Sequence, residues 1–478
     1  MGPLIAAALA FVATPLGAFL VRMVVSYAIG KVMEDRAASK RDSANASRSI
    51  MVNKSSNSDP IPVLYGKTRI GGTRAYVNTS DGAGDMAGKS HLNMAITMCE
   101  GEIGDIKQVW FNDKVVWDIT NGGVNTNGVL SGWSAGDYKA SLDDAACIVK
   151  YHNGGDTQGV DSGLVTSIGA SWTANHTLSG VAYLSLILKA NPEVYKGGVP
   201  LVTATVEGRK IQNVANITAG NTTPTTLYNG ADVNPVDVLY DYLSNKRFGK
   251  GVEHDANGNY IAGKHVDLDS FKAARLIVGN TFKINGVLPT SETIYNNIAE
   301  ILESCNGVLA FQQGKYTLRI KHQNEPTAMV IDSSYILTPV VVSMPEKSNK
   351  FNKMTAGFRN PTVGTDYNDD LVIVESPTYL LEDNGSVLES QMHLGLIDDP
   401  TMVSLIAMYK VNTSRYGIGI AFEGAHSLLK VEAGDIIEMD LPNFGWTTKK
   451  FRVMSLELTN ENTVAINAIE YQSSIELV

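Results

Sequence analysis

Apolar and polar positions beyond residue 60 follow two different spacings. Leu92, Met94, Ile96 and Met98 alternate with other residues, which predicts a half-buried strand. Residues 108–117 and 307–320 read as hairpins, with turns near Asn112-Asp113 and at 312–314. Helical spacing occurs in three places: Val236, Leu239, Tyr240 and Leu243; Ile294, Ile298, Ile301, Leu302 and Cys305; and Met402, Leu405, Ile406 and Tyr409 after Asp399-Pro400.

Helix ends are also marked in the central region. Ser291 is a possible N-cap of the second helical segment, and Asp267 or Asp269 could cap another helix that runs through Ile277. From residue 417 onward every segment reads as a strand, which favours a small β-barrel at the C-terminal end. The predicted fold class is mainly β with an α+β insert, with β-barrel domains preceded by an N-terminal apolar helix.

Changes in composition divide the chain into five predicted parts. They are an apolar helix over 1–33, a polar linker over 34–58, a β-rich domain over 59–230 with a looped insertion near 120–180, an α+β domain over 231–330, and a β-barrel domain over 331–478 with one helix near 400–412. At 478 residues the chain is too long for a single hydrophobic core, so several domains are expected.

The first 30 residues form the most apolar stretch, with no charged side chain before Arg22. About 20 consecutive apolar residues is the length that crosses a bilayer as a helix. A cleaved signal peptide is disfavoured, because only three uncharged residues precede the run and no convincing cleavage site follows it. Two interpretations stay open: a membrane span, and a helix buried by self-association along Ala6, Ala10, Ala13 and Gly17.

Charge and cysteine content exclude several classes of function. The chain has 39 Lys and Arg against 49 Asp and Glu, a net charge of -10, so its composition indicates no basic surface for stable DNA binding. An acidic lining suits a channel through which DNA must pass without being bound tightly. The three cysteines, Cys99, Cys147 and Cys305, are too widely spaced for a zinc site and odd in number, so buried free thiols are expected.

Residues 83–90 fit a relaxed phosphate-loop pattern ending in Gly-Lys-Ser. A phosphate loop must open into a helix whose first amides face the phosphates, whereas a period-2 strand follows here. Ala83 also replaces the first glycine. A strand-to-strand loop is therefore the better interpretation.

Other catalytic and metal-binding patterns are incomplete. Residues 255–259 begin like a calcium loop, but Val266 stands where the twelfth-position glutamate belongs, so an Asx turn is expected. The eight histidines form no metalloprotease pair, and no Gly-x-Ser-x-Gly elbow is present. Acid pairs such as Asp143-Asp144 read as solvated loop residues. We predict no enzyme activity, no cofactor and no metal site.

Four phrases carry a resemblance that covers about residues 60–460. The phrases are Met98 to Ile106 followed by Trp110 to Asp113, Val238 to Gly251, the helix ending at Ser304-Cys305 with its hairpin, and Val431 to Glu438. Together, in this order, they resemble tip attachment proteins of lambda-like long-tailed bacteriophages.

This resemblance implies a structural tail-tip or baseplate hub: a homotrimer of β-barrel hub domains located at the tail tip of the virion. Such a hub joins the tail tube to the host-binding tip, closes the lumen and opens for DNA ejection. The implied partners are a distal tail protein, a tape-measure protein and separate receptor-binding proteins, with DNA present only in transit. The family continues into receptor-binding modules after the last barrel strand, whereas this chain stops at Val478, so host recognition is expected in another protein.

A hub would give the apolar N-terminal segment a role that the family pattern does not supply. Three copies could gather on the axis of a trimer as a lumen plug, or the segment could pack on other tail proteins and enter the host membrane at ejection. The candidate residues are Leu4, Leu9, Phe11, Leu16, Phe19, Leu20 and Val21. The alternatives are a membrane-anchored β-rich surface or secretion-channel protein and, less favoured, a tail-associated envelope hydrolase.

Overall fold

The structure is a computed structural model. It describes residues 53, 59–81, 90–120, 123–124, 130–131, 147–190, 194–195, 197–224, 227–228, 233–323, 325–344, 349–361 and 367–476. The predicted N-terminal helix and all seven candidate plug residues lie outside this part of the chain.

Two four-stranded sheets form the N-terminal β unit. Its strands are β1 Val63–Tyr65, β2 Lys67–Ile70, β3 Thr73–Ser80, β4 His91–Glu100, β5 Ile103–Phe111, β6 Lys114–Asp118, β7 Gly123–Val124, β8 Leu130–Ser131, β9 Cys147–Asn153, β10 Val181–Lys189 and β11 Val202–Arg209. One sheet has the order β3-β4-β10-β9 and the other β2-β11-β5-β6, while β7 and β8 form a separate pair. Apolar side chains of both four-stranded sheets share one core.

Strand β4 differs from its sequence prediction. The alternating pattern predicts one solvent-facing side, yet Asn93, Ala95 and Thr97 are buried on the second face. A helix, α1 (Ser162–Ile168), and the nearby Trp172 cover that face. This helix and β9 both lie within the region predicted as a looped insertion. Because α1 packs on β4, β4 is buried on both faces.

The central α+β unit contains short strands and three helices. They are β12 Ile211–Gln212, β13 Leu227–Tyr228, β14 Gly286–Leu288, β15 Gly307–Gln312 and β16 Lys315–Ile320, with α2 Pro235–Ser244, α3 Leu268–Val278 and α4 Ile294–Glu303. The predicted hairpin is the antiparallel β15–β16 pair. Helix α2 contains the predicted helical spacing; Asn234 caps it and Pro235 occupies its first turn. The N-cap of α4 is Thr293, which accepts a hydrogen bond from the Asn296 amide, and not Ser291.

A two-stranded sheet of β1 and β14 separates the first two cores. Side chains alternate along a strand, so neighbouring residues point to opposite faces. Leu64 and Val287 accordingly pack in the core of the N-terminal β unit, while Val63, Tyr65 and Leu288 pack in the central core. The β1–β14 sheet is therefore buried on both faces.

The remaining elements form two further sheets. They are β17 Thr327–Asp332, β18 Val341–Ser343, β19 Lys353–Asn360, β20 Asn368–Glu375, β21 Glu389–Leu394, β22 Gly419–Gly424, β23 Ile436–Leu441, β24 Trp446–Leu458 and β25 Val464–Glu470, with α5 Pro377–Glu382 and α6 Pro400–Thr413. The sheet β20-β19-β21 and helix α6 share the core of the central unit. Asp399 caps α6, as the Asp-Pro pair predicts.

The C-terminal sheet has the strand order β17-β23-β24-β25-β22-β18 and its own core. The expectation of β-barrels is wrong for the described residues, because each sheet there is open. In this sheet the edge strands β17 and β18 do not pair with each other; the chain between them turns and bridges Ile336 to Gly424 of β22 instead. The broader expectation of a mainly β protein is confirmed, with 41% strand and 22% helix.

Candidate functional site

The residues that carry the family resemblance meet at the seams between these parts. Seam A joins the N-terminal β unit to the central unit, and seam B joins the central unit to the C-terminal sheet. Charged side chains, several of them nearly buried, cross both seams. These seams are the candidate functional site.

Seam A is built around the turn between β4 and β5. Gly101 has a φ of +86°, which glycine adopts without strain. A Cβ at this position would lie 1.7 Å from Nη1 of Arg209, so the guanidinium lies directly against the glycine backbone. The Gly101 amide also donates to the Gly180 carbonyl at 2.7 Å. A side chain at this turn would therefore require Arg209 to move.

Arg209, at the end of β11, reaches across seam A to helix α2. Its Nε donates to Oδ2 of Asp241 at 2.9 Å, and the Tyr65 hydroxyl donates to the same oxygen at 2.8 Å. The guanidinium carbon lies 5.0 Å from the centre of the Phe248 ring. Burial raises the pKa of Tyr65 well above its usual range, and the Asp241 charge adds to this, so the hydroxyl stays a donor.

A second ion pair completes seam A. Arg247, just after α2, places Nε 2.8 Å from Oε2 of Glu100. Burial raises the pKa of Glu100, while Arg247 and Arg209 act against that shift. Burial also raises the pKa of the adjacent Cys99 thiol to about 12, so this cysteine is an inert core residue, as predicted. Glu100, Gly101, Asp241 and Arg247 all belong to the resembling phrases.

Seam B joins the β15–β16 hairpin to the loop before β23. Arg319 of β16 donates to Oε2 of Glu432 at 3.0 Å and also pairs with Asp435. Gly434 has a φ of +96°, and a Cβ there would lie 2.9 Å from Cδ of Arg319. The last resembling phrase therefore places its glycine and its acids around one arginine from the hairpin.

A more deeply buried cluster lies beside seam B. Arg452 binds Glu325 through two nitrogens, at 2.8 and 2.6 Å, and Glu476 at 3.2 Å. Asn306 at the start of the hairpin donates to the same Glu476 at 3.3 Å. Burial, and then the Arg452 charge, lower the pKa of Lys321 to about 8. Planar, bidentate pairing is the geometry for which arginine is suited.

Sequence reasoning missed Arg209, Arg452 and Glu325 as seam residues. The one available signal was Arg452 itself, a charge flanked by the apolar residues Phe451 and Val453. Its partner Glu325 is 127 residues away in the sequence, which no spacing pattern could indicate.

One cluster contains the three residue types of a serine hydrolase but has the wrong order. Asp161 accepts from Ser185 Oγ at 2.6 Å, and its Oδ2 lies 2.7 Å from Nε2 of His152. In a catalytic triad the histidine stands between the serine and the acid and takes the serine proton. Here the aspartate stands in the middle, and its other oxygen caps α1 through the Leu164 amide. The cluster anchors a helix, and no step of acyl transfer follows from it.

The other sequence candidates resolve into local structure. Antiparallel strands β3 and β4 flank residues 82–89, so the Gly-Lys-Ser pattern opens into a strand, as expected, although residues 83–89 lie outside the described part of the chain. Asp255 accepts from the amides of Asn257 and Asn259 in an Asx turn. Within the described ranges no group of three or more His, Cys, Asp or Glu could hold a metal ion. None of the helices described there is long and apolar enough to cross a membrane.

The comparisons with known proteins point to phage tails. The chain is 22% identical over 323 residues to the baseplate hub protein pb3 of Escherichia phage T5. That match covers 64% of this chain and 33% of the relative, so the chain spans about a third of the length of the curated protein it matches. The chain is similar to structural proteins of phage tails.

A solved structure shows that the fold also occurs in a virion. A chain from the virion of the native gene transfer agent particle has a TM-score of 0.62 to this chain at 14% identity, covering 89% of this chain and 87% of that one. No family model matches. The predicted location at the tail tip of a virion agrees with the match to a baseplate hub protein. The finer resemblance to lambda-like tip proteins stays a prediction.

Proposed function

We propose that this chain is a structural hub of a phage-type tail tip, which joins the tail tube to the host-binding apparatus. The observation that carries the proposal is the match to a baseplate hub protein over 64% of the chain. The seams support it, because ion pairs that include residues of the resembling phrases join the three parts of the chain to one another. A hub transmits force and position, and fixed orientation between its parts is what that task requires.

The proposal includes the assembly that hub proteins imply. Three copies surround the tail axis, each with the domain division predicted from the sequence, and contact a distal tail protein, a tape-measure protein and separate receptor-binding proteins. DNA passes only in transit, in keeping with the net charge of -10. The apolar segment with Leu4, Phe11, Phe19 and Val21 closes the lumen or enters the host envelope when the tip opens.

The location is tested by imaging. A short epitope tag inserted after Gly385, an exposed glycine in the loop after α5, is detected with gold-labelled antibody on intact particles. We expect gold at the distal end of the tail. Label along the tail shaft or on the capsid, in particles that keep wild-type infectivity, would overturn the hub role.

The assembly state is tested separately on the purified chain. Analytical ultracentrifugation should give a mass of three copies, and a chain carrying Asp241→Ala serves to show whether an intact seam A is needed for it. A stable monomer at all concentrations, with an intact fold by circular dichroism, would contradict the trimer but not the tail-tip location.

A further inference from the structure

Strand β20 presents an uncovered apolar edge. It is the outer strand of the sheet β20-β19-β21, and among the described residues no strand pairs with its outer side. Its middle, residues 371–374, reads Leu-Val-Ile-Val and carries no charge. Leu371 and Ile373 are 65% and 60% exposed on one face of the sheet. Asp369, Asp370 and Glu375 put charges at the two ends of β20, but its middle has none of the charges or prolines with which proteins usually blunt an edge.

A groove opens on the other face of the same edge. Its volume is about 480 Å³, and it is lined by Val374, Pro400, Thr401, Ser404, Leu405 and Met408. The α6 residues recur every three or four positions, so they form one stripe along the helix, beside the stripe that is buried against the sheet. We call this the β20–α6 groove. Leu405 within it is 41% exposed.

The edge and groove together suit an occupant that is apolar on every side. An added strand would send alternate side chains into the groove and against Leu371 and Ile373. Residues 4–21 contain no charge and show no polar face at either the helical or the strand period. A segment of this kind needs cover on more than one side, which this site supplies.

The start of the described chain lies close to β20. Asn53 inserts its side chain between two strand ends, donating to the carbonyls of Gly71 and Val202 and accepting from the Val202 amide at 2.8 Å. Two residues before Gly71, the Arg69 carbonyl accepts from Arg359 of β19 at 3.2 Å. Arg359 in turn is the register partner of Asp369 in β20.

The linker is also long enough to reach along β20. From Asp369 to Val374 is five residues, about 17 Å along a strand at about 3.3 Å per residue. The part of the predicted polar linker before Asn53, residues 34–52, numbers 19 residues, and a coil of that length spans about 24 Å on average. A short tether raises the effective concentration of the segment at sites on its own chain, which favours this site over one on another copy.

We propose that the N-terminal apolar segment, residues 4–21, is stored in extended form, in place of the helix that the sequence predicts, along the edge of β20 and in the β20–α6 groove of its own chain. This deepens the proposed role of the segment by naming where it is held before release. The storage proposal concerns the isolated chain. It can therefore be wrong while the tail-tip location is right, and it can be right while the tail-tip location is wrong.

Photo-crosslinking of the purified full-length chain tests the contact. Benzoyl-phenylalanine is placed at Leu405, and at Leu276 as the control, an 83% exposed position on α3 away from the groove. We expect crosslinks from position 405 to peptides within residues 4–21, and none of these from position 276. Crosslinks from 405 only to other regions, or none, would overturn the proposal. Mixing isotopically heavy and light chains identifies the donor, and heavy-to-light crosslinks would overturn storage on the same chain.

Hydrogen exchange gives a second readout that needs no substitution in the groove. Amides of residues 368–375 in the full chain should exchange about tenfold more slowly than in a chain lacking residues 2–30, because an added strand protects the free edge. Residues 268–278 serve as the internal control and should not change. Equal exchange of the β20 peptide in both chains would count against the proposal even if the crosslinking variant failed to fold.

Discussion

Substitution of Asp241 tests whether seam A holds the chain together. The carboxylate accepts hydrogen bonds from Arg209 and Tyr65, and its side chain is 12% exposed. Removing one partner of a buried ion pair leaves the other charge uncompensated, which costs about 3 to 5 kcal/mol in measured cases. Because Arg209 keeps 17% exposure and its contact with Phe248, we expect the lower end, about 3 kcal/mol, for Asp241→Ala.

Asp241→Asn separates charge from geometry. The amide oxygen can still accept from Tyr65 or Arg209, so the expected loss is about 1 to 2 kcal/mol. A double-mutant cycle with Arg209→Met should give a coupling energy of about 2 kcal/mol between the two side chains. Urea unfolding followed by circular dichroism measures the free energies, and hydrogen exchange shows whether peptides on both sides of seam A loosen together.

A surface ion pair provides the matched control. Lys353 and Glu389 lie 3.2 Å apart within one sheet, with the Glu389 side chain 37% exposed. Glu389→Gln should lower the unfolding free energy much less than Asp241→Ala, because exposed ion pairs contribute little. If Asp241→Ala destabilised the chain no more than Glu389→Gln, seam A would not be a stabilising contact, and our reasoning about it would be refuted.

Three further outcomes are expected. Gly101→Ala should cost more than about 2 kcal/mol in urea unfolding because its Cβ would collide with Arg209, whereas Gly220→Ala, with φ of +84° but open space, should cost about 1 kcal/mol. Burial opposes the charge of Asp161, but hydrogen bonds from His152 and Ser185 hold its pKa well below the usual range. Its stabilising contribution should therefore be complete above about pH 4 and fall as the pH drops further, and Asp161→Asn should flatten that acid-unfolding slope. Asn53→Ala should lower the unfolding free energy by about 2 kcal/mol and speed proteolysis near residue 53, because three hydrogen bonds are lost.

Local signals explain which elements could be predicted from the sequence. Helix α2 has its cap and proline adjacent in the chain, and the β5–β6 turn at Asn112-Asp113 has positive φ at both residues, which such turns require. Both were predicted because all the determining residues lie within a few positions. The second buried face of β4 was missed because its cover, α1 and Trp172, comes from about 70 residues away.

Sheet closure could not be predicted for a related reason. The strands predicted after residue 417 are present, but a barrel needs its two edge strands to pair, and β17 and β18 do not pair. The edge strand β17 joins the sheet by running parallel to β23. Parallel pairing joins residues about 110 positions apart, and no alternation of side chains distinguishes it from an antiparallel neighbour. The same limit applies to the residues of the seams. The resembling phrases include Glu100 and Asp241, but only the folded chain brings Arg209 to Asp241.

The ion pairs within each seam differ in their access to water. At seam A, the Arg247 and Glu100 side chains are 54% and 12% exposed, whereas those of Arg209 and Asp241 are 17% and 12% exposed. At seam B, Arg319 and Glu432 are 33% and 39% exposed, while beside it Arg452 and Glu325 are only 5% and 8% exposed. Water and salt screen the exposed pair of each seam more than its buried pair, so each seam should loosen first at the exposed pair. Asp241 is therefore the informative position at seam A, because its pair with Arg209 is the one that water screens less.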